Sequence, residues 1–194
     1  MVLAYLLGSF PAGYLLGKLW GVNVLFHASG RTGGTNVLRA AGAMAGLLTG
    51  ALDIGKGFLA VWLAGQITGS PLAESLAGGA VVLGHCYSVF LRFRGGGGVA
   101  TSLGALAAIY PPLAVALLVL LLVVIALSRM ASVGSLTITT LSPITLLVLG
   151  LVGTLPLIYT LYGVLAWIII IYSHLPNIRR LIAGTERRLG EKRS

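Results

Sequence analysis

The chain has little charge, few acidic residues and one cysteine, and each of these shortages excludes a class of protein. Of the 194 residues, 9% are charged, 57% are hydrophobic and four are Asp or Glu. With a mean hydropathy of +1.01, too few polar groups remain to cover a water-soluble globule. The single cysteine, Cys86, excludes an internal disulfide, and we interpret it as a small buried apolar residue. The composition predicts an integral membrane protein.

Long apolar segments divide the chain into seven predicted spans, so we expect an all-α, polytopic membrane protein with short polar cytoplasmic loops. The N-terminus has no basic region typical of a cleaved signal peptide, and we interpret residues 1–19 as a first spanning helix that is kinked at Pro11. The paired Pro111 and Pro112 divide the apolar run 99–127 into two short spans. The other predicted spans are 43–67, 72–91, 133–150 and 153–172, and a basic cytoplasmic tail fills 173–194. Residues 1–194 are expected to form one domain.

The positions of the basic residues favour this division. If the tail is cytoplasmic and the N-terminus lies outside, seven crossings leave no Lys or Arg on the outer face, as the positive-inside rule expects. One long fifth helix, the alternative, would move Arg129 outside. Apart from Lys56, which lies within a span, the basic residues lie in the loops and tail of one face, which argues against nucleic acid as the partner and favours anionic lipid or an anionic substrate. No internal repeat is evident, which weakens the case for a transporter built of inverted halves.

A glycine-rich loop is the strongest chemical signal. Arg92 to Thr101 contains two arginines, four consecutive glycines and a hydroxyl residue at a predicted helix start. Unshielded backbone N–H groups beside arginines form a typical phosphate site. The loop residues expected to bind phosphate are Arg94, Gly95, Gly96, Gly97, Gly98, Val99 and Thr101.

Two further polar segments are predicted on the same face. The first loop, Asn23 to Gly42, includes Ser29 to Arg39, and the tail begins with His174 to Arg179. Each carries an arginine beside hydrogen-bond donors, which suits a phosphorylated substrate. For each segment alone, a solvated loop that only sets topology remains an alternative.

Two charged residues lie inside the second predicted span. Asp53 and Lys56 are three positions apart on one helix face and can form an ion pair, which allows charges to exist at membrane depth. His85, next to the glycine-rich loop, is expected to orient it. No cluster with metal-ligand spacing is present in the sequence, so we expect no metal and no cofactor.

Six segments together carry a family resemblance: Gly8 to Tyr14, Ser29-Gly30 with Gly34 to Arg39, Asp53 to Gly57, Gly84-His85 with Phe93 to Gly96, Gly98 to Thr101, and His174 to Leu181 with Gly184 to Glu186. In this order and spacing they resemble the signatures of bacterial acyl-phosphate:glycerol-3-phosphate acyltransferases. The resemblance implies a seven-span enzyme of the bacterial inner membrane, with a cytoplasmic active site. It implies acyl transfer from acyl phosphate to the 1-hydroxyl of glycerol 3-phosphate, and functional coupling to the enzyme that makes acyl phosphate.

The resemblance also assigns roles to residues. It implies catalytic roles for Ser29, Arg39, His174 and Asn177, and places Ser132 at the junction of the fifth and sixth spans. Substrate contacts are further expected from Arg31, Thr35 and Asn36 in the first loop. The general base is left open between His174 and an oxygen of a substrate phosphate. A non-enzymatic transporter or binding protein for a phosphorylated lipid or anion is the alternative function.

Two positions depart from the family pattern. Gly97 occupies the place of a usual lysine in the phosphate loop, and Arg31 that of a usual asparagine in the first loop. If the two loops face each other, Arg31 restores the missing positive charge. A paralogue with reduced or altered donor use is the other interpretation.

Overall fold

The computed structural model describes residues 1–27 and 29–190, so the last four residues of the predicted tail lie outside the described part. Helices dominate this part, and it contains no strand. The helices are α1 (Val2–Ser9), α2 (Ala12–Leu19), α3 (Gly34–Ala41), α4 (Ala43–Thr68), α5 (Pro71–Cys86), α6 (Val99–Ile109), α7 (Pro111–Ser128), α8 (Ala131–Leu151) and α9 (Tyr159–Ile182).

The predicted all-α membrane architecture is confirmed. Among the described residues, 6 helical segments are long and apolar enough to cross a membrane, with α1 and α2 together counting as one. The shorter α6 has 11 residues and measures about 16 Å at ~1.5 Å per residue, roughly half of a hydrocarbon core. Six full spans and one short apolar helix agree with the expectation of about seven.

Prolines mark the two breaks predicted from the sequence. Phe10 and Pro11 separate α1 from α2, because proline cannot donate the backbone hydrogen bond that a continuous helix needs. The carbonyl of Phe10 accepts a hydrogen bond of 3.1 Å from Lys56 Nζ instead. Tyr110 is extended between α6 and α7, and Pro111 and Pro112 occupy the first turn of α7, where their missing N–H groups cost nothing.

The predicted boundaries of the last span were wrong, whereas the span before it, 133–150, agrees with α8 to within two residues. Helix α8 continues to Leu151, and α9 begins at Tyr159 rather than at 153. It then runs through the polar segment assigned to the tail, ending at Ile182. Its polar residues do not end the helix, because His174 is buried against the rest of the protein at 4% exposure. The first loop also contains an unpredicted helix, α3, which is closed by Gly42 at φ +93°.

Small residues bring the helices into close contact around the site. Gly57 on α4 lies against the Thr101 carbonyl of α6, and Gly104 on α6 lies against the Ile54 carbonyl of α4. A Cβ at either glycine would overlap the opposing backbone. This two-way contact fixes the start of α6, and with it the glycine-rich loop, against α4.

Candidate active site

One cavity of about 500 Å³ collects most of the residues that the sequence singled out. It lies between α3, α4, the glycine-rich loop with the start of α6, α7, the start of α8 and the end of α9. Its wall includes these predicted site residues: Ser29, Arg31, Thr35, Asn36, Arg39, Asp53, His85, Gly97, Gly98, Val99, Ser132, His174 and Asn177. The three polar segments predicted to converge do converge.

The first loop and the glycine-rich loop face each other. The N–H of Thr32 donates to the carbonyl of Gly95 at 3.2 Å. Arg31 donates from Nη2 to the carbonyl of Ser173 on α9, and Ser173 Oγ donates to the carbonyl of Gly97 at 3.2 Å. These bonds tie both loops to α9 in one cluster.

Gly97 lies beside two cationic or ionisable side chains. A Cβ built on Gly97 would be 3.0 Å from His174 Cε1 and 3.8 Å from Arg31 Nη1. The guanidinium of Arg31 is therefore close to the space that a side chain at position 97 would enter. The condition for charge compensation by Arg31, that the two loops face each other, is met.

Burial acts on both arginines of the first loop. Burial lowers the pKa of Arg31. It also lowers the pKa of Arg39, and the nearby positive charge of Arg187 lowers the pKa of Arg39 further. A guanidinium stays protonated at neutral pH despite such shifts. The cavity therefore carries two positive charges: Arg31 is partly desolvated and attracts an anion more strongly than a solvated arginine does, whereas the side chain of Arg39 remains exposed.

Two contacts of Nδ1 fix the orientation of the His174 imidazole ring. Its Nδ1 is 2.9 Å from the carbonyl of Ile170 and 3.1 Å from Ser173 Oγ. Because a carbonyl only accepts, Nδ1 carries the proton in this arrangement and Nε2 is the nitrogen left for a ligand. Nε2 lies on the side of Gly97, so His174 can accept a proton or, when protonated, donate to a phosphate oxygen.

Asn177 is held by a residue that was not predicted as part of the site. Glu186, which also lines the cavity, accepts from Asn177 Nδ2 at 2.8 Å and from Arg180 Nε at 2.7 Å. Burial alone would raise the pKa of Glu186, but hydrogen bonds from Asn177 and Arg180 outweigh it and lower the pKa. Only its presence in the last resemblance segment could have indicated this role.

The segment after α9 folds back over the cavity. Residues 183–190, which we call the C-terminal strap, carry Glu186 to Asn177. Farther along, Leu189 N–H donates to the carbonyl of Arg129 at 2.7 Å, and Arg129 Nη2 donates to the carbonyl of Leu189 at 3.0 Å. The strap thus joins the end of α9 to the junction of α7 and α8.

An apolar wall on α7 was also missed. Leu118, Leu121, Leu122 and Ile125 line the cavity at spacings of three and four residues, which is one face of a helix. Helix α7 is apolar on every side, so no polar contrast distinguishes this face in the sequence. The cavity therefore has a cationic end and an apolar side.

The predicted ion pair is present and includes a third residue. Asp53 Oδ1 is 2.9 Å from Lys56 Nζ and 3.3 Å from His85 Nδ1. All three side chains are buried. The N–H of Gly96 donates to the carbonyl of His85 at 3.0 Å, and a Cβ on Gly96 would overlap the imidazole ring. His85 therefore supports the glycine-rich loop, as expected from the sequence.

Some of the predicted residues have structural contacts or lie off the cavity wall. Asn36 donates to the carbonyls of Val24 and Arg31 at 3.1 and 2.7 Å and accepts from Ser29 N–H at 3.0 Å, so its amide organises the first loop. Gly95, Gly96 and Arg94 are not on the cavity wall, nor are Thr101 and Lys56. Of the four consecutive glycines, the last two, Gly97 and Gly98, reach the cavity.

Comparison with known proteins decides the family. The family model described as "Glycerol-3-phosphate acyltransferase" matches residues 1–184. The chain belongs to this acyltransferase family. The match covers the first loop, the glycine-rich loop and the whole of the last helix, α9.

Individual relatives agree with this membership. The glycerol-3-phosphate acyltransferase of Thermus thermophilus is 43% identical over 195 residues, with 99% of this chain and 94% of the relative covered. That of Aromatoleum aromaticum is 41% identical, with 100% and 97% covered. The crystal structure of PlsY (YgiH), an integral membrane glycerol 3-phosphate acyltransferase, in its glycerol 3-phosphate form has a TM-score of 0.89 at 38% identity, covering 97% of this chain and 93% of that one. Its lysophosphatidic acid form has a TM-score of 0.87.

The resemblance noted from the sequence is thereby confirmed at the level of the family. An enzyme of phospholipid biosynthesis embedded in a membrane follows from membership and from the apolar helices. The acyl donor, the residue roles and the orientation in the membrane go beyond this.

Proposed function

We propose that the protein transfers a fatty acyl group from acyl phosphate to the 1-hydroxyl of glycerol 3-phosphate, which yields lysophosphatidic acid and inorganic phosphate. The observation that carries the proposal is the composition of the cavity wall: Arg31, Arg39 and His174 at one end and the α7 leucines along the side. This amphipathic shape fits a reactant with an acyl chain and a phosphate. It also leaves cationic groups for a second phosphate.

The mechanism needs positioning and charge neutralisation more than a covalent intermediate. Acyl phosphate is a mixed anhydride, so its carbonyl carbon is already activated and phosphate is a good leaving group. The C1 oxygen of glycerol 3-phosphate attacks this carbon, the new C–O ester bond forms, and the carbonyl C–O bond to phosphate breaks. The hydroxyl proton passes to a phosphate oxygen or to His174 Nε2. Positioning two reactants supplies up to ~7–11 kcal/mol, and oriented donors several more.

Each of the two phosphates is bound by its own set of groups. The N–H groups of Gly97 and Gly98, with Arg31, bind one phosphate, while Arg39, Asn177 and His174 order the other. Ser29, a residue of the cavity wall, orients a reacting oxygen. Thr35 and Ser132 supply further hydroxyl groups, Val99 contacts the reactants, and the acyl chain lies against α7 between the spans. Residues 1–194 act as one domain without a cofactor.

The proposed orientation follows the basic residues. With the N-terminus outside and the C-terminus inside the bacterial inner membrane, the cavity opens to the cytoplasm, where glycerol 3-phosphate is available. The donor is then delivered by a functionally coupled enzyme that makes acyl phosphate. Direct use of acyl-CoA or acyl carrier protein is not expected, because the family resemblance implies acyl phosphate as the donor.

A donor panel tests the proposal. Purified protein in lipid nanodiscs is given glycerol 3-phosphate with palmitoyl phosphate, palmitoyl-CoA or palmitoyl-acyl carrier protein, and lysophosphatidic acid is quantified by mass spectrometry. Product with palmitoyl phosphate alone is expected. Product only with a thioester donor would contradict the proposed donor, and absence of product from folded protein with all three would contradict the enzyme.

A further inference from the structure

A buried carboxylate oxygen beside the cavity has no partner. Asp53 is 1% exposed, and its Oδ1 is in contact with both Lys56 and His85. Its Oδ2 is shielded from solvent and has no hydrogen-bond partner. Leaving a buried charged acceptor unsatisfied is destabilising, and such groups are uncommon in folded proteins. A vacant acceptor at the wall of a binding cavity indicates a donor on the ligand.

The other described carboxylates are already occupied. Glu74 accepts from the Tyr159 hydroxyl at 2.6 Å and does not line the cavity. Glu186 lines it, but Asn177 occupies its Oε1 and Arg180 its Oε2. Within residues 1–27 and 29–190, Asp53 is therefore the acidic residue of the cavity wall that has a carboxylate oxygen without any hydrogen-bond partner.

Asp53 Oδ2 differs from the donors of the site because it can only accept, and it differs from the other unpartnered buried oxygens of the cavity residues, Asn177 Oδ1 and Ser132 Oγ, because it is charged. The arginines, the histidine and the glycine N–H groups can donate to phosphate, whereas a carboxylate repels phosphate and accepts from a hydroxyl group. Glycerol 3-phosphate has two hydroxyl groups besides its phosphate. A site built only of donors would fix the phosphate and leave the glycerol free to rotate about its C–C bonds.

We propose that Asp53 Oδ2 accepts a hydrogen bond from the C2 hydroxyl of glycerol 3-phosphate and so turns the C1 hydroxyl toward the acyl carbonyl. This inference rests on the proposed function and adds a residue that fixes the glycerol moiety. The C2 hydroxyl is the better match because it does not react. Contacts from Lys56 and His85 hold the carboxylate in one position, which suits a fixed attachment point. Lys56 also balances the negative charge, so phosphate can bind nearby.

A cycle of substrate and protein changes tests the contact. 3-Hydroxypropyl phosphate has the reactive hydroxyl and the phosphate but lacks the C2 hydroxyl. A hydrogen bond to a charged acceptor corresponds to a ~10- to 150-fold preference of the wild-type protein for glycerol 3-phosphate in kcat/KM. In Asp53→Asn, which loses the charge, the preference is expected to fall at least threefold. In the double variant Asp53→Ala/Lys56→Ala, which removes both charges together, it is expected to approach one.

The controls separate this role from a structural one. Glu74→Gln removes a carboxylate that does not line the cavity and should keep the wild-type preference. A structural role for Asp53 would lower activity on both substrates equally and leave their ratio unchanged, and that result would overturn the proposal, as would a wild-type protein that does not distinguish the two compounds. If the donor panel fails, calorimetric Kd values of both phosphates for the wild-type protein and Asp53→Asn, measured without a donor, show the same ratio change or its absence.

Discussion

The pair Arg31 and Gly97 offers a quantitative test of how the cavity holds phosphate. Arg31 Nη1 is 3.8 Å from the Cβ that a side chain at position 97 would have. The variants Arg31→Asn and Gly97→Lys exchange the charges of the two loops, and the double variant restores the arrangement that the family resemblance leads one to expect. If both cations serve the same phosphate, the two changes must depend on each other.

The expected magnitudes follow from the hydrogen bond that each variant removes or adds. Removing Arg31 removes one charge-assisted hydrogen bond, about 1.5–3 kcal/mol, which lowers kcat/KM by ~10- to 150-fold. Gly97→Lys alone places a Cβ 3.0 Å from His174 Cε1 and an ammonium near a guanidinium, so it is also expected to lower activity. In the double variant the new lysine replaces the missing positive charge. Its activity should therefore exceed the product of the two single effects by at least ~5-fold, or about 1 kcal/mol.

Steady-state rates with acyl phosphate and glycerol 3-phosphate measure this coupling. Arg92→Asn is the matched control, because Arg92 is an exposed arginine next to the same loop and is absent from the cavity wall. Combined with Gly97→Lys it should show no coupling. Additivity of Arg31→Asn and Gly97→Lys within ~0.5 kcal/mol would refute the idea that Arg31 compensates for the absent lysine.

Three further predictions concern packing, the strap and the second arginine. Gly57→Ala introduces a Cβ against the Thr101 carbonyl and should destabilise the protein by about 1–3 kcal/mol in thermal unfolding. The control Gly55→Ala, which has open space around it, should be neutral or stabilising. Equal effects of the two variants would contradict the close α4–α6 contact. Because the pKa of Glu186 in the folded protein is below its ordinary 4.5, Glu186 stabilises the strap above that pH, and this stabilisation is lost as the pH falls through the lowered pKa. Glu186→Gln should remove this acid dependence of amide exchange in residues 184–190. An unchanged pH profile in Glu186→Gln would refute the role of Glu186 in the strap. Arg39→Ala should raise the KM for one phosphate substrate by ~10- to 100-fold, and unchanged KM values for both would exclude a phosphate contact.

Local chemistry made parts of the structure predictable. Pro11 and Pro111 lie at helix breaks, as the missing N–H of proline predicts, so the interruption of the first span and the turn between α6 and α7 could be predicted; Pro143 and Pro176, in contrast, lie inside α8 and α9. Asp53 and Lys56 could be paired because helix geometry alone brings residues three apart together. The convergence of Arg31, the glycine-rich loop and His174 followed from placing the basic loops on one face.

Features that depend on tertiary contacts could not be predicted from the sequence. The predicted end of the last span is wrong because polar residues do not by themselves end a helix. His174 is buried against the protein, and α9 continues past it to Ile182. The apolar face of α7 has no polar residues to mark it. Glu186 enters the site only because the strap folds back, and its partners Asn177 and Arg180 are nine and six residues earlier in the chain.

The most direct test of the account is a rapid-quench measurement of phosphate release. The central claim is that acyl phosphate and glycerol 3-phosphate occupy one cavity together and react without an acyl-enzyme. Wild-type protein mixed with acyl phosphate alone should release no phosphate burst and carry no covalent acyl group by mass spectrometry. After glycerol 3-phosphate is added, phosphate and lysophosphatidic acid should appear together in equal amounts. A burst of phosphate equal to the enzyme concentration before the acceptor is added, with an acylated residue, would contradict the claim.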